Sequence, residues 1–395
     1  MKALLFEPSL PRYAAARLAG SFVPGLGARV GPLGLADVDE PTLPGADWRR
    51  VRPRLSGICG SDLATVDGRS SRYFEPLVSF PFVPGHEIVG DLDDSTRVVV
   101  EPVLGCTTRG VDPPCPGCAT GHLDACERLV FGDLEPGLQT GYCADTGGGW
   151  SIALAAHTSQ LHPVPEGMDD DTAVLVEPAA CAIHAALSTD RADGATVLVL
   201  GSGTLGLCTI AALRHFATPA TVIAVAKHAE QRRLATDLGA DVVVVPGEVR
   251  RAVRRATGSL LVGDTLTGGV DLVIDCVGSQ SSLADDLAVA APGAEVVLVG
   301  MPGSVQVDMT PLWHRQISLR GSYAYGLERA PGDHGGRPRR TFDLAFELVV
   351  AAELGRLVSA HYPLDRYREA IEHAAAAGAR GAVKIVFDLR GEKRR

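Results

Sequence analysis

Three short stretches of this chain carry a thiol, an imidazole and two carboxylates whose types could together bind a metal. Cys59 lies in Gly57-Ile58-Cys59-Gly60-Ser61-Asp62, His86 and Glu87 in Pro84-Gly85-His86-Glu87, and Glu177 in Val176-Glu177-Pro178. A lone cysteine before glycine is commonly a small buried apolar side chain. Set beside an imidazole and a carboxylate it becomes a candidate ligand. Cys59, His86 and Glu177 would give zinc three protein ligands and leave a fourth position open, as a catalytic zinc requires. A second set is denser: Cys115-Pro116-Gly117-Cys118 followed by Cys126, with Cys106 upstream and Asp112 three residues before Cys115. Four soft donors on a Pro/Gly-rich loop suit a closed, tetrahedral structural zinc. Its fourth ligand is Cys106, the softer donor, or Asp112, the more regularly spaced one, and Cys106 is the better choice.

A third signal is Thr196-Val197-Leu198-Val199-Leu200-Gly201-Ser202-Gly203-Thr204-Leu205-Gly206, which reads as strand, Gly-x-Gly-x-x-Gly turn and helix. Gly201 allows a tight turn, Gly203 lets a pyrophosphate approach the backbone, and Gly206 lets helix pack on strand. The amides of Ser202, Thr204 and Leu205 then face the phosphates at the positive end of a helix. The next strand should end in Asp or Glu if the ribose 2′-hydroxyl of NAD is bound. It ends instead in Val225-Ala226-Lys227-His228. Lys227 could pair with a 2′-phosphate, so NADP is favoured over NAD. A metal beside a nicotinamide pocket points to alcohol–carbonyl redox chemistry.

These residues need two scaffolds. Up to about residue 170 the chain is Gly- and Pro-rich and strand-like, and residues 8–50 read as strands joined by turns rather than helices. From about residue 173 short apolar strands alternate with helices: strands near 195–200, 221–226, 241–245, 271–276 and 294–299, with helices between them. That alternation means a parallel sheet covered on both faces. Helices over 340–354 and 365–377 and a strand over 382–388 follow. The expected organisation is a β-rich catalytic domain over 1–180, a doubly wound α/β dinucleotide-binding domain over 181–325, and a return to the first domain over 326–395.

The bulk properties agree. The chain has 395 residues, 46% hydrophobic and 21% charged, enough for about two folded domains. The net charge of −10 argues against nucleic acid or an anionic membrane as partner. Nine cysteines, an odd number, without a recognisable signal peptide, do not make a disulfide framework. A cytoplasmic protein is the expectation.

In this order and spacing the motifs resemble the zinc-dependent medium-chain alcohol and polyol dehydrogenases, in the branch of sorbitol, threonine and glucose dehydrogenases. The resemblance implies a GroES-like catalytic domain and a Rossmann domain with the active site between them, and a homodimer or homotetramer joined through the Rossmann sheets. Carried over, Cys59 and His86 are catalytic zinc ligands, and Glu177 is the glutamate that replaces a cysteine in the polyol branch. Glu87 is the adjacent carboxylate that can enter or leave the metal's shell, and Ser61 the hydroxyl that relays the substrate proton. Three departures stand out. Ala64 occupies the place of a relay histidine, Asp112 that of the first lobe cysteine, and residues 8–35 and 326–340 are longer than the family minimum. The implied activity is hydride transfer between NAD(P) and a polyol, sugar or secondary alcohol, or its carbonyl. The alternatives are a zinc-free quinone or enone reductase and a non-catalytic zinc- and dinucleotide-binding redox sensor.

Overall fold

The computed structural model describes residues 1–329 and 337–392. They form two compact units, Met1–Glu177 with Glu353–Arg395, and Pro178–Ala352. The chain therefore returns to the first unit at 353 rather than 326. The helix Thr341–Ala351 packs on Thr204–Phe216 within the second unit and buries Phe342, Leu344, Leu348 and Val349. Within the segment 326–340, Leu327–Glu328 pairs antiparallel with Arg339–Arg340; residues 330–336 lie outside the described residues. No helix among the described residues is long and apolar enough to cross a membrane.

The second unit holds a six-stranded parallel sheet in the order Val242–Val244, Thr221–Val225, Thr196–Leu200, Val270–Asp275, Ala290–Leu298, Ser318–Gly321. The order reverses between Thr196–Leu200 and Val270–Asp275, and the glycine turn leaves the sheet at that switch point, where a doubly wound sheet opens its ligand crevice. The strands Thr196–Leu200 and Thr221–Val225 are apolar and buried after their first residue because helices cover both faces of the sheet. A hairpin, Leu261–Val262 with Thr265–Leu266, is an addition that the periodicity did not announce.

The first unit is built on a mostly antiparallel sheet ordered Val358–Tyr362, Lys384–Asp388, Trp48–Gly57, Ile88–Leu92, Arg97–Val100, Leu161–Pro163, with Leu154–His157 also pairing Trp48–Gly57. Asp170, almost fully buried, is paired with Arg54, Arg97 and Arg390, which ties the chain's last strand to its middle. One expectation fails here. Residues 8–50 contain two helices, Leu10–Phe22 and Gly27–Val30, as well as the strand Leu33–Asp37. Pro11 lies in the first helical turn, where its missing N–H costs nothing. Gly20 is in the helix because a Cβ there would lie 2.7 Å from Asp67 Cβ. The proline and glycine that suggested turns are thus a helix start and a close approach.

Candidate metal centres and the dinucleotide turn

The strand Trp48–Gly57 delivers Cys59 to the N-cap of the helix Gly60–Val66. Asp62, at the third helical position, accepts a hydrogen bond on Oδ2 from the Cys59 N–H at 2.9 Å, which caps the helix and fixes the loop. His86 stands just before the strand Ile88–Leu92, after Gly85, whose φ of +98° and contact with Trp150 admit no side chain. The same Asp62 reaches it: Asp62 Oδ1 lies 3.4 Å from His86 Nδ1. The Tyr142 hydroxyl donates to that oxygen at 3.3 Å. One buried carboxylate thus aims two candidate ligands. Burial opposes a charge on the His86 imidazole, but Asp62 and then the Cys59 sulfur outweigh it and hold its pKa well above the ordinary value. Burial, and after it the charge of Asp62, raises the Tyr142 phenol, so it stays protonated and a donor.

Cys59, His86 and Glu87 offer donor atoms all within 4.8 Å of one another. The third member of this group is Glu87 rather than Glu177. Glu177 is buried in the first turn of the helix Val176–Leu187, and its charge is felt at Lys384. Lys384 is a fully buried ammonium in ion-pair contact with Glu87. Burial alone would favour its neutral form; Glu87 and Cys59 outweigh that and raise its pKa. Ser61 is half-buried in the helix's first turn, and its carbonyl accepts from Thr65 Oγ1 at 3.0 Å. Ala64 is buried and brings no proton acceptor.

In the lobe, Cys106, Cys115, Cys118 and Cys126 also group within 4.8 Å, and Asp112 is not part of the group. Cys106 Sγ and Cys126 Sγ are 3.9 Å apart. Tetrahedral zinc with bonds of about 2.3 Å spaces its sulfurs by about 3.8 Å, so the donor set fits the ion. Burial works against ionising Cys115, yet the backbone N–H groups of Cys118 and Glu127 and the neighbouring thiols bring it down to about 6. Burial, with neighbouring thiols, raises Cys118 and Cys126. Four adjacent sulfurs do not all ionise without a cation. Arg109, fully buried behind them, donates to the carbonyls of Leu104, Phe131, Leu134, Glu135 and Gly137 and so shapes the lobe.

In the second unit a Cβ on Gly206 would lie 1.8 Å from Gly201 O, so helix and turn touch only because residue 206 is glycine. A Cβ on Gly203 would meet no protein atom, and that open space is the room a pyrophosphate needs. The Ser202 hydroxyl donates to Val225 O at 3.0 Å, so its side chain braces the turn against the next strand. Thr204 and Leu205 open the helix Thr204–Phe216 and are half-buried. Lys227 is exposed at the end of the strand Thr221–Val225. Nearby, Arg232 donates to the carbonyls of Lys227 at 2.9 Å and Ala226 at 3.4 Å. His184 pairs with Glu328 at 2.6 Å as a satisfied packing residue.

Sequence reasoning passed over Asp62, Tyr142, Lys384, Arg109 and Arg232. Two left a signal. Asp62 stands three residues after Cys59, where a helix cap belongs, and Lys384 interrupts the apolar run Ala382-Val383-Lys384-Ile385-Val386-Phe387.

Residues 204–333 match the family model described as zinc-binding dehydrogenase, and residues 45–166 that of the alcohol dehydrogenase GroES-like domain. A protein of Mycobacterium tuberculosis named as a zinc-binding alcohol dehydrogenase is 31% identical over 376 residues, 90% of this chain and 85% of its own. L-idonate 5-dehydrogenase of Vitis vinifera is 25% identical over 353 residues, 86% of this chain and 87% of its own. A structure from Sinorhizobium meliloti, described as a zinc-binding dehydrogenase bound to NADP, superposes with TM-score 0.71 at 26% identity, covering 98% of each chain.

Proposed function

We propose, on the premise that this chain belongs to the zinc-binding alcohol dehydrogenase family with its GroES-like domain, that it interconverts a polyol, sugar or secondary alcohol and its carbonyl with NADP in preference to NAD. The observation that carries the reading is the group of half-buried Cys59 with buried His86 and Glu87, and Asp62 behind it. A zinc-free quinone or enone reductase has no use for such a donor set, and a redox sensor needs no second centre beside its cysteine lobe.

When bound, zinc would supply a Lewis acid that lowers the pKa of an alcohol, and the nicotinamide an acceptor for its hydride. Cys59 and His86 would hold the ion, with Glu87 and Glu177 the carboxylates available to complete its shell. Asp62 fixes the Cys59 loop through its N–H and places its charge 3.4 Å from His86 Nδ1, so both candidate ligands are set beside one buried carboxylate. Ser61 would take the substrate's proton and pass it outward. Ala64 beyond it offers no acceptor, so that proton would leave by water, by another residue or by the ribose of a bound cofactor. Cys106, Cys115, Cys118 and Cys126 would hold a second, structural zinc. Gly201, Gly203 and Gly206, with the amides of Ser202, Thr204 and Leu205, would cradle the pyrophosphate. Lys227 and Arg232 would meet the 2′-phosphate. The strand Ser318–Gly321 ends the parallel sheet, which supports a homodimer or homotetramer joined there.

Protein purified without chelator should carry about two zinc ions per chain. It should reduce NADP⁺ with at least one member of a panel of polyols, sugars and secondary alcohols. Zinc present but no turnover across that panel, in either direction and with either cofactor, overturns the proposal. The pair Ala226→Asp with Lys227→Ala should move preference toward NAD; an unchanged cofactor ratio refutes the 2′-phosphate assignment alone.

A further inference from the structure

Glu87 is claimed from two sides. Its carboxylate lies within 4.8 Å of the Cys59 sulfur and a His86 ring nitrogen. It is also in ion-pair contact with Lys384, and the two side chains are 1% and 2% exposed. An ammonium taken this far from water is strongly disfavoured unless it is paired. The fold leaves it no other setting. The strand Lys384–Asp388 runs antiparallel to Trp48–Gly57 with Val386 opposite Gly57, and the Ile58 N–H donates to Ile385 O at 3.0 Å. Lys384 Nζ also donates to Ile58 O at 3.3 Å. Gly57 completes the enclosure, since a Cβ there would lie 1.8 Å from Glu87 Oε2. The carboxylate therefore lies flat against a glycine, between the ammonium and the candidate ligands.

We infer that Lys384 and the metal compete for the Glu87 carboxylate, so that Lys384 is a positioning residue that sets how tightly the mixed centre holds its ion. The inference rests on the reading that Cys59 and His86 bind zinc. The charges point the same way. Lys384 is paired with the Glu87 carboxylate, and Glu177 is a second buried carboxylate whose charge reaches it. With the ammonium in place the protein presents the balance that suits a divalent cation. Without it the site is more negative and Glu87 is released from its pair, and both changes strengthen metal binding. A lysine held between carboxylate and backbone carbonyl thus keeps Glu87 a removable ligand, one that does not block the open coordination position.

The test is chelator competition on the full-length protein, following zinc release with a chromogenic chelator, with Cys59→Ser identifying the lobe's zinc. Lys384→Met should hold zinc at the mixed centre at least tenfold more tightly than wild type, while Lys384→Arg should stay within about twofold. In a Glu87→Gln background most of the gain from Lys384→Met should vanish. An unchanged or weaker affinity in Lys384→Met overturns the inference. A gain that survives Glu87→Gln in full also overturns it, because the effect is then one of charge alone. Should Lys384→Met fold poorly, Lys384→Gln, which keeps an amide donor for Ile58 O, is read in the same way. If Cys59→Ser and wild type carry the same zinc, the functional reading fails first and takes this inference with it.

Discussion

In the lobe between Cys106 and Cys126 every sulfur accepts a backbone N–H, from Cys115, Glu127, Cys106 and Arg128 in turn, at 3.3–3.5 Å. All four ligands come from one short loop, and a neutral shell of carbonyls around Arg109 supports it. Around Cys59 the arrangement is the reverse. The donors differ in kind and come from two separate segments, one before the helix Gly60–Val66 and one before the strand Ile88–Leu92, and their supports, Asp62 and Lys384, are themselves charged and buried. Backbone amides fix four like sulfurs within one compact group. Buried charges hold unlike ligands in place while leaving one of them, Glu87, a second partner. Under the proposed function, the difference is that between an ion that would hold a loop together and an ion that would exchange ligands.

The sharpest way to break this comparison is to remove one thiol from each centre. Cys118→Ser should cost on the order of 4 kcal/mol of stability, a fall of about 10 °C in Tm, because the loop loses its cross-link. Cys59→Ser should abolish turnover with Tm within a few degrees of wild type. Scanning calorimetry with a zinc assay on both variants decides it; an equal fall in Tm would make both centres structural.

A smaller effect comes from the supports. Asp62→Asn keeps an oxygen for the Cys59 N–H but loses the charge on the His86 side. It should weaken zinc at the mixed centre about 10–100-fold and leave the lobe's zinc in place. Chelator titration of both ions checks this. Loss of the lobe's zinc as well would show that the two centres are not independent.

The smallest lies outside both centres. In the second unit Asp286 is fully buried near Asp275; burial first, and then that like charge, push its pKa well above the ordinary carboxyl value. Its native pKa is raised above the unfolded one, so the native state binds the proton more tightly. The contribution is therefore complete below the unfolded carboxyl range and is lost as pH rises through the native pKa. Asp286→Asn cannot ionise. It should remove a loss of up to about 1.4 kcal/mol per pH unit over that window and change neither zinc count. Urea unfolding of both proteins from pH 4 to 8 checks this, and parallel curves would refute it.

Much of this was legible in the sequence because the signals are local. The alternation of apolar strands and helices after residue 190 falls within a residue or two of the observed elements in most cases, since burial of both sheet faces writes itself into each strand. The glycines at 201, 203 and 206 and the cysteines at 115, 118 and 126 carry fixed spacings that one turn must satisfy. Residues 8–50 mislead because Pro11 and Gly20, by type alone, signal turns. Their acceptability depends on a helix start and on Asp67, a contact across the fold.

By itself the sequence determined the two-unit plan, the parallel sheet and its glycine turn, and the residue types of the candidate metal centres. Only the tertiary structure decided which of them meet. It set Cys106 rather than Asp112 against the other lobe sulfurs, grouped Glu87 rather than Glu177 with Cys59 and His86, and brought Lys384 from the far end of the chain into the same buried site. The physical reason is range. Hydrophobic period and turn chemistry act over a few residues, whereas a buried charge is fixed by whichever strand the sheet places beside it.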